Sequence, residues 1–140
     1  MSLELSSLES AAAALGRALG VMKDKAQWLV LSVEAREAVN GGVIQSFEVA
    51  YEQSWKMIKR WLENNVGATD VDGVTRRHLF RLAAETGLIA DVDLWMTFHK
   101  ARNETSHTYN SDIAAAVLEM APDFLLACKT LVKTLKARND

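Results

Sequence analysis

The chain has 140 residues, of which 49% are hydrophobic and 24% are charged, as expected for one folded domain with its own core. Its net charge of -2 and isoelectric point near 5.9 exclude the overall basicity of a sequence-blind nucleic-acid binder, so any contact with RNA would be local. One proline and seven glycines provide few turn signals and favour long helices over an all-β fold.

The N-terminal segment predicts a helix over residues 2–21, because its apolar residues recur every three or four positions. These residues are Leu5, Leu8, Ala12, Leu15, Leu19 and Met22. A polar connector follows at residues 23–26, and the conformation of the short apolar run at residues 28–31 stays open. Glu4 and Glu9 interrupt the segment and no basic stretch precedes it. We therefore expect no signal peptide, no membrane span and a cytoplasmic protein.

A long helix is predicted over residues 32–65, with Ser32 able to act as its N-cap. Its apolar stripe consists of Ile44, Phe47, Tyr51, Trp55, Ile58 and Leu62. Gly41 and Gly42 would cost this helix about 1 kcal/mol each relative to alanine. The cost indicates either a helix start near Asn40 or the close approach of another backbone, and we prefer a start or a kink near the glycines.

The C-terminal half predicts further helices separated by short connections. A loop at residues 64–72 precedes a third helix over residues 74–86, and Gly87 can end that helix in the left-handed conformation. Asp91 can cap a fourth helix, whose inward residues are Leu94, Trp95, Phe98 and Ala101. Ser111 is the predicted N-cap of a helix over residues 112–120, and Pro122 the predicted first residue of a last helix.

These elements predict an all-α fold, an antiparallel up-and-down bundle of five to six helices formed by residues 1–140 as a single domain. The residues expected to be mostly buried are Ile44, Phe47, Tyr51, Trp55, Ile58, Leu94, Phe98, Leu125 and Leu131. Cys128 lies on the apolar stripe of the last helix, so we expect a buried thiol and a reducing compartment.

Residues 102–109 read Arg-Asn-Glu-Thr-Ser-His-Thr-Tyr and form the candidate functional segment. Arg102 offers a planar fork of donors to phosphate oxygens, and His107 can move protons near neutral pH. On one continuous helix these two side chains would point about 140° apart, so we expect the segment to span a junction between helices. The structural alternative is that Arg102 pairs with a carboxylate, His107 caps a helix and Tyr109 packs its ring.

Other polar residues give weaker signals. His78 and His99 have no partner at metal-ligand spacing, so no metal site is expected. Glu48 and Glu52 lie four positions apart and would repel on an exposed helix unless Lys56 or Arg102 pairs with them. The basic residues Arg76, Arg77 and Arg81 are expected on a solvated helix surface. No glycine-rich phosphate loop is present, so we expect no bound cofactor and no nucleotidyl transfer by this chain itself.

The segment that begins at Gly42 reads GVIQSFEVAYEQSWKMIKRWLE and resembles the long helix of the nucleotidyltransferase substrate-binding-protein-like family, approximately G-V-I-Q-R-F-E-F-x-x-E-L-x-W-K-x-x-K-x-x-L. Residues 87–89 and 102–109 resemble that family's G-L-I and R-N-x-x-S-H-x-Y in the same order. The resemblance covers about residues 3–137, and the chain departs from it at Ser46, where members often have arginine or lysine. The family belongs to the HEPN group of helical bundles, whose shared motif is R-x(4–6)-H.

This resemblance implies a small, separate nucleotidyltransferase of the polymerase-β type as partner, a homodimer, and similarity to the helical half of aminoglycoside nucleotidyltransferases. Relatives with an intact R-x4-H-x-Y motif are ribonuclease toxins, and the partner restrains them by adding AMP to the tyrosine. Carried over by position, Arg102 and His107 would be the nuclease pair and Asn103 the polar residue beside the arginine. Tyr109 would be the modified phenol.

Such a ribonuclease would need no metal, because His107 could take the proton from a ribose 2′-hydroxyl while Arg102 stabilises the phosphorane. A second His107 from the other subunit of a dimer could supply the general acid. The alternative function is a non-catalytic subunit that binds a substrate and presents it to the same nucleotidyltransferase. The intact motif favours the ribonuclease, and the acidic isoelectric point favours the binding subunit.

Overall fold

The computed structural model describes residues 2–139, which form helices and helical turns without a β-strand. The predicted all-α fold is therefore confirmed. The α-helices are α1 (Ser6–Lys23), α2 (Lys25–Val30), α3 (Val33–Leu62), α4 (Ala68–Val71), α5 (Arg76–Glu85), α6 (Val92–Glu104) and α7 (Ser111–Ala137). A π-helical turn, Glu63–Gly67, follows α3, and a 3-10 turn, Thr105–His107, leads from α6 toward α7.

Helix α3 is the centre of the bundle, because α1, α5, α6 and α7 all pack against it. The core between α3, α6 and α7 is built around the buried ring of Phe124. Its centroid lies 5.0 Å from that of Phe47 and 5.1 Å from that of Phe98, both in edge-to-face geometry. Such aromatic pairs contribute about 0.5–1.5 kcal/mol each beyond the burial of their area.

The predicted core is largely confirmed. Its buried members are Ile44, Phe47, Tyr51, Ile58, Phe98 and Leu131. Trp55 and Leu125 are only partly buried and pack against the core from its edge. Leu94 is 37% exposed, so its prediction as an inward residue is wrong. The next residue, Trp95, was also predicted as inward and is buried, against Phe80 and Phe98.

The N-terminal helices differ from the prediction at their ends. Helix α1 begins at Ser6, four residues later than predicted, and ends at Lys23. Most of the predicted connector is helical, because the Asp24 side chain accepts a hydrogen bond from the amide of Gln27 at 3.1 Å and caps α2. The undecided run at residues 28–31 is helical through Val30.

Helix α3 begins at Val33 and passes through Gly41 and Gly42 without a break. A start near Asn40 is therefore wrong, whereas a kink at the glycines stays a prediction. A Cβ built on either glycine would find no atom within 4 Å, so another backbone does not approach closely either. The Ser32 hydroxyl caps the helix by accepting from the amide of Ala35 at 3.1 Å, and packing along α1 offsets the cost of the glycines.

The segment between α3 and α6 is more helical than predicted. Residues 64–72 were predicted as a loop, but they contain most of the π-helical turn and all of α4. Gly67, with a φ of 135°, ends the π-helical turn and precedes α4. Helix α5 is capped by Thr75 rather than starting at residue 74. Gly87 has a φ of 79°, the left-handed conformation predicted for it. Asp91 caps α6 as predicted, by accepting from the amide of Leu94.

Helix α7 is a single helix in which Pro122 occupies an interior position. The predicted division at Pro122 is therefore wrong, although proline removes one backbone hydrogen bond and costs a helix about 3 kcal/mol. One buried stripe continues across the proline and holds both halves against the core. It consists of Val117, Ala121, Phe124, Cys128, Leu131 and Leu135. Ser111 is also not the N-cap, because the side chain of Asn110 accepts from the amides of Asp112 and Ile113.

None of the helices within residues 2–139 is both long enough and apolar enough to cross a membrane. Cys128 is buried as predicted, and its Sγ lies 3.5 Å from the hydroxyl of Ser54. Burial raises the pKa of this thiol above its ordinary value.

Candidate functional site

The candidate segment spans the junction between α6 and α7, as predicted. Arg102 and Asn103 lie in the last turn of α6, and His107 ends the 3-10 turn that follows. Thr105 joins these two parts, because its hydroxyl accepts a hydrogen bond from Arg102 Nη1 at 3.0 Å and donates to the carbonyl of Arg102 at 2.7 Å. Tyr109 follows in the turn before α7.

The guanidinium of Arg102 pairs with two carboxylates from α3. Its Nη1 lies 3.5 Å from Oε2 of Glu48, and its Nε lies 3.3 Å from Oε1 of Glu52. The contact with Glu52 is an ion pair without hydrogen-bond alignment, because the buried Nε has no hydrogen-bond partner within residues 2–139. The sequence allowed either Lys56 or Arg102 as the partner of the two glutamates, and the structure shows that Arg102 pairs with both. It separates charges that would otherwise repel along α3.

This cluster carries a net charge of -1, since two carboxylates surround one guanidinium. An open groove of about 370 Å³ adjoins it. The groove is lined by Gln45, Glu48, Val49, Glu52, Gln53 and Arg102. Phosphate that approaches Arg102 is therefore repelled by the two carboxylates beside it, whereas a cationic group would be attracted to the same groove.

His107 and Tyr109 are both exposed and lie beside each other. The Tyr109 hydroxyl is 3.4 Å from Nδ1 of His107, and the two ring centroids are 5.9 Å apart in edge-to-face geometry. The phenol of Tyr109 is 86% exposed, so its ring is not packed as the structural alternative expected. Within residues 2–139, Arg102 and His107 share neither an ion pair nor a hydrogen bond, and Thr105 is the residue that links Arg102 to the 3-10 turn.

A second polar group, not anticipated from the sequence, lies beside Asn103. Tyr51 is fully buried in α3, but its hydroxyl lies 2.8 Å from Nδ1 of His99 and accepts a hydrogen bond from Arg76 Nη1 at 2.9 Å. On the other side of the imidazole, Nε2 of His99 lies 3.5 Å from Nδ2 of Asn103. These four residues form a chain of polar contacts from α5 through α3 to the end of α6.

The protonation of this chain follows from its surroundings. Burial, the largest effect, raises the pKa of Tyr51 to about 12 even though Arg76 opposes the shift, so the phenol keeps its proton. Burial and the charge of Arg76 both lower the pKa of His99. The guanidinium of Arg76 also lies 3.7 Å from the ring centroid of Trp55. The prediction of Arg76 on a solvated surface is therefore wrong.

The two ring nitrogens of His99 contact Tyr51 and Asn103. Residues 2–139 contain no group of three or more His, Cys, Asp or Glu side chains arranged to hold a metal ion. The spacing of His99 and Asn103, one helical turn apart, was visible in the sequence. Their connection to Tyr51 and Arg76 was not, because it depends on how α3, α5 and α6 pack.

The family described as nucleotidyltransferase substrate binding protein like matches this chain over residues 3–137. The chain belongs to this family. A solved structure from Haemophilus influenzae, described as revealing the fold of a substrate binding domain of a nucleotidyltransferase, superposes with a TM-score of 0.91 at 30% sequence identity. That alignment covers 95% of this chain and 99% of the other. A structure from Thermus thermophilus has a TM-score of 0.74 at 28% identity, over 91% of this chain and 98% of that one.

Among curated proteins, the chain is similar to one from Haemophilus influenzae that carries the name "Probable ribonuclease HepT". The two are 36% identical over 105 residues, which is 74% of this chain and 72% of that protein. The family membership agrees with the resemblance found in the sequence, and the solved structures agree with its all-α bundle.

Proposed function

We propose that this protein is a HEPN-type endoribonuclease that needs no metal and works with a separate small nucleotidyltransferase. The observation that carries the proposal is the pairing of an exposed imidazole with an exposed phenol, His107 and Tyr109, just after an arginine at the end of α6. The name of the relative as a probable ribonuclease supports the activity. The description of the family supports a nucleotidyltransferase as the partner.

The proposed reaction is an attack by a ribose 2′-oxygen on the adjacent phosphorus. Neutral His107 takes the proton of the 2′-hydroxyl, the bond from phosphorus to the 5′-oxygen breaks, and a 2′,3′-cyclic phosphate remains. Arg102 stabilises the added charge on the phosphorane, and Asn103 offers a further polar group beside it. The departing 5′-oxygen takes a proton from a second imidazole, for which we propose His107 of a homodimer partner.

The proposed control by the nucleotidyltransferase acts on Tyr109. Its phenol oxygen loses its proton to the solvent and attacks the α-phosphorus of ATP bound to the transferase, pyrophosphate leaves, and the tyrosine carries AMP. The high exposure of Tyr109 supports access by another protein. An adenylate there would add a bulky anion next to His107 and would exclude RNA by charge and by volume.

The ribonuclease is tested by incubating the purified protein with RNA in EDTA. Wild-type protein is expected to produce fragments with cyclic phosphate ends, and His107→Ala to produce none. Because His107 is exposed, the variant should keep its helical content and melting temperature. Ser111→Ala is the matched control, since it truncates an exposed residue at the start of α7, outside residues 102–109, and should retain activity.

The modification is tested with the cognate transferase and ATP. We expect the mass of the protein to rise by one adenylate, and this rise to disappear in Tyr109→Phe but not in Tyr51→Phe. RNA left intact by the wild-type protein in EDTA would contradict the ribonuclease, and an unmodified Tyr109 would contradict the proposed control.

A second candidate function, a non-catalytic substrate-binding subunit, is favoured by one specific observation. The groove beside Arg102 contains two carboxylates and a net charge of -1, with Gln45 and Gln53 as hydrogen-bonding groups. These groups suit a hydroxylated ligand that carries ammonium groups. Saturable binding of an amino-sugar probe that weakens in Glu52→Gln, together with no cleavage of RNA, would favour this function over the ribonuclease.

A further inference from the structure

A chain of polar contacts leads from the buried phenol of Tyr51 to the exposed side chain of Asn103. The contacts are Arg76 Nη1 to Tyr51 Oη at 2.9 Å, Tyr51 Oη to His99 Nδ1 at 2.8 Å, and His99 Nε2 to Asn103 Nδ2 at 3.5 Å. His99 is therefore the only member that touches both the buried phenol and the surface residue within the part of the chain described, residues 2–139.

The donors in this chain have only one satisfactory arrangement. Arg76 can only donate, so the Tyr51 oxygen accepts from it. The phenol proton then needs an acceptor, and Nδ1 of His99 is the one acceptor that residues 2–139 bring to it. If Nδ1 carried a proton instead, a fully buried hydroxyl would be left unsatisfied, at a cost of about 1–3 kcal/mol. His99 is therefore neutral, with its proton on Nε2.

This tautomer determines how the amide of Asn103 must point. A protonated Nε2 is a donor, so the Asn103 atom that faces it must be the carbonyl oxygen Oδ1. The oxygen and nitrogen of an amide have nearly the same shape, and hydrogen bonding decides between them. With Oδ1 turned toward His99, the two N–H donors of Nδ2 turn away from it, at an exposed position next to Arg102.

We propose that His99 is a positioning residue, which Tyr51 and Arg76 hold so that the Asn103 amide presents its NH₂ group to the phosphate of a bound RNA. This inference rests on the proposed ribonuclease. Its value for the reaction follows from the charges around Arg102, because the carboxylates of Glu48 and Glu52 lie 3.5 Å and 3.3 Å from the guanidinium and offset its positive charge. Two neutral donors on Asn103 add stabilisation of the phosphorane that no carboxylate cancels.

The tautomer can be measured in the free protein without any activity. Nitrogen spectra of the labelled imidazoles near pH 7 are expected to show His99 with an unprotonated Nδ1 and a protonated Nε2. Tyr51→Phe, which removes only the hydroxyl, is expected to produce a mixture of tautomers. Thr97→Ala, an exposed substitution on the same helix, should leave the His99 signals unchanged. A protonated Nδ1 in the wild-type protein would overturn the inference.

The positioning role is tested by a double-mutant cycle on single-turnover RNA cleavage. His99→Leu and Asn103→Ala should each slow cleavage by roughly tenfold, the effect of a hydrogen bond to a charged group. The double variant should be no slower than either single variant, because His99 acts through Asn103. His99→Gln should restore most of the rate, since its amide can accept from Tyr51 and donate to Asn103.

Multiplied losses in the double variant would show that the two residues act independently and would overturn the positioning role. Melting temperatures identify a variant that has merely lost stability. If His99→Leu is such a variant, the cleavage rate of His99→Gln decides: a restored rate supports the positioning role, and a rate that stays low overturns it. A wild-type protein that does not cleave RNA would refute the proposed function. The nitrogen spectra would then still decide whether His99 has the inferred tautomer, with Nδ1 unprotonated and Nε2 protonated.

Discussion

Arg102 of α6 and Glu52 of α3 form an ion pair across the helix interface, with Nε of the guanidinium 3.3 Å from Oε1 of the carboxylate. The pair connects the candidate segment to the central helix of the bundle. Glu48 pairs with the same guanidinium, so Arg102 and the two glutamates together carry a net charge of -1. The site thus holds its arginine firmly while weakening the attraction of that arginine for phosphate.

Replacing one of these carboxylates should strengthen RNA binding. We expect Glu52→Gln to lower the Kd for RNA roughly twofold to fivefold, because partly exposed charge pairs contribute up to about 1 kcal/mol. Glu48 remains to hold Arg102, and the glutamine oxygen can still accept from the indole of Trp55. The measurement is fluorescence anisotropy with labelled RNA, with His107→Ala present in every protein to prevent cleavage.

The matched control is Glu34→Gln, an exposed residue in the first turn of the same helix. It removes the same charge about 27 Å away along α3 and should leave the Kd nearly unchanged. Equal effects of the two substitutions would mean that only the overall charge matters. Weaker RNA binding in Glu52→Gln would mean that Glu52 supports the site rather than limiting it.

The helices themselves were largely predictable, because an apolar residue every three or four positions marks the buried face of α3 and of α7. The errors arise where a local signal competes with that packing. Pro122 is unfavourable in a helix, yet a buried stripe continues across it and holds α7 intact. Gly41 and Gly42 are also unfavourable, yet α3 runs through them and its buried face begins directly after them, at Val43. A propensity of a few kcal/mol cannot by itself locate a helix end against such burial.

The candidate site was predictable to a different extent. The order of residue types in 102–109 marked the segment, and the wide angle that one helix would place between Arg102 and His107 indicated a junction between helices. The chain from Arg76 through Tyr51 to His99 was missed, because its members lie 25 and 48 positions apart in sequence. Periodicity describes one helix at a time, so contacts among three helices require their packing.

Phe124 should be one of the most important residues for stability, since its buried ring contacts rings from both α3 and α6. Phe124→Ala is expected to reduce the free energy of unfolding by about 3–5 kcal/mol, through lost burial and the cavity left behind. Leu126→Ala removes an apolar side chain of the same helix that is 67% exposed. It should change the free energy of unfolding by less than about 0.5 kcal/mol. Urea unfolding followed by circular dichroism measures both. Similar losses would contradict the packing around Phe124.

Pro122 should destabilise the protein, because it interrupts the hydrogen bonding of a continuous helix. We expect Pro122→Ala to raise the free energy of unfolding by about 1–3 kcal/mol, since alanine restores a backbone donor and has the best helix propensity. A proline that began a separate helix would give the opposite result, since its missing donor would cost nothing at that position. The melting temperature of the variant distinguishes these outcomes. A lower melting temperature than that of the wild-type protein would support two separate helices divided at Pro122.

The hydroxyl of Tyr51 should give the protein a specific sensitivity to alkaline pH. Its ordinary pKa is 10.0, and burial raises it to about 12 in the folded protein. The neutral phenol is therefore favoured by folding, so its contribution to stability is complete below pH 10 and disappears between pH 10 and 12. Between about pH 9 and pH 11 we expect this one group to remove about 1 kcal/mol from the free energy of unfolding.

Tyr51→Phe isolates that contribution, because the other titrating groups are the same in both proteins. The free energy of unfolding should fall less steeply with pH in Tyr51→Phe than in the wild-type protein, whatever its value at neutral pH. The chain has two tyrosines, and the exposed one provides the control. Tyr109→Phe should retain the steep wild-type dependence. If Tyr51→Phe and Tyr109→Phe have the same pH dependence, the buried phenol does not stay protonated as its contacts with Arg76 and His99 require.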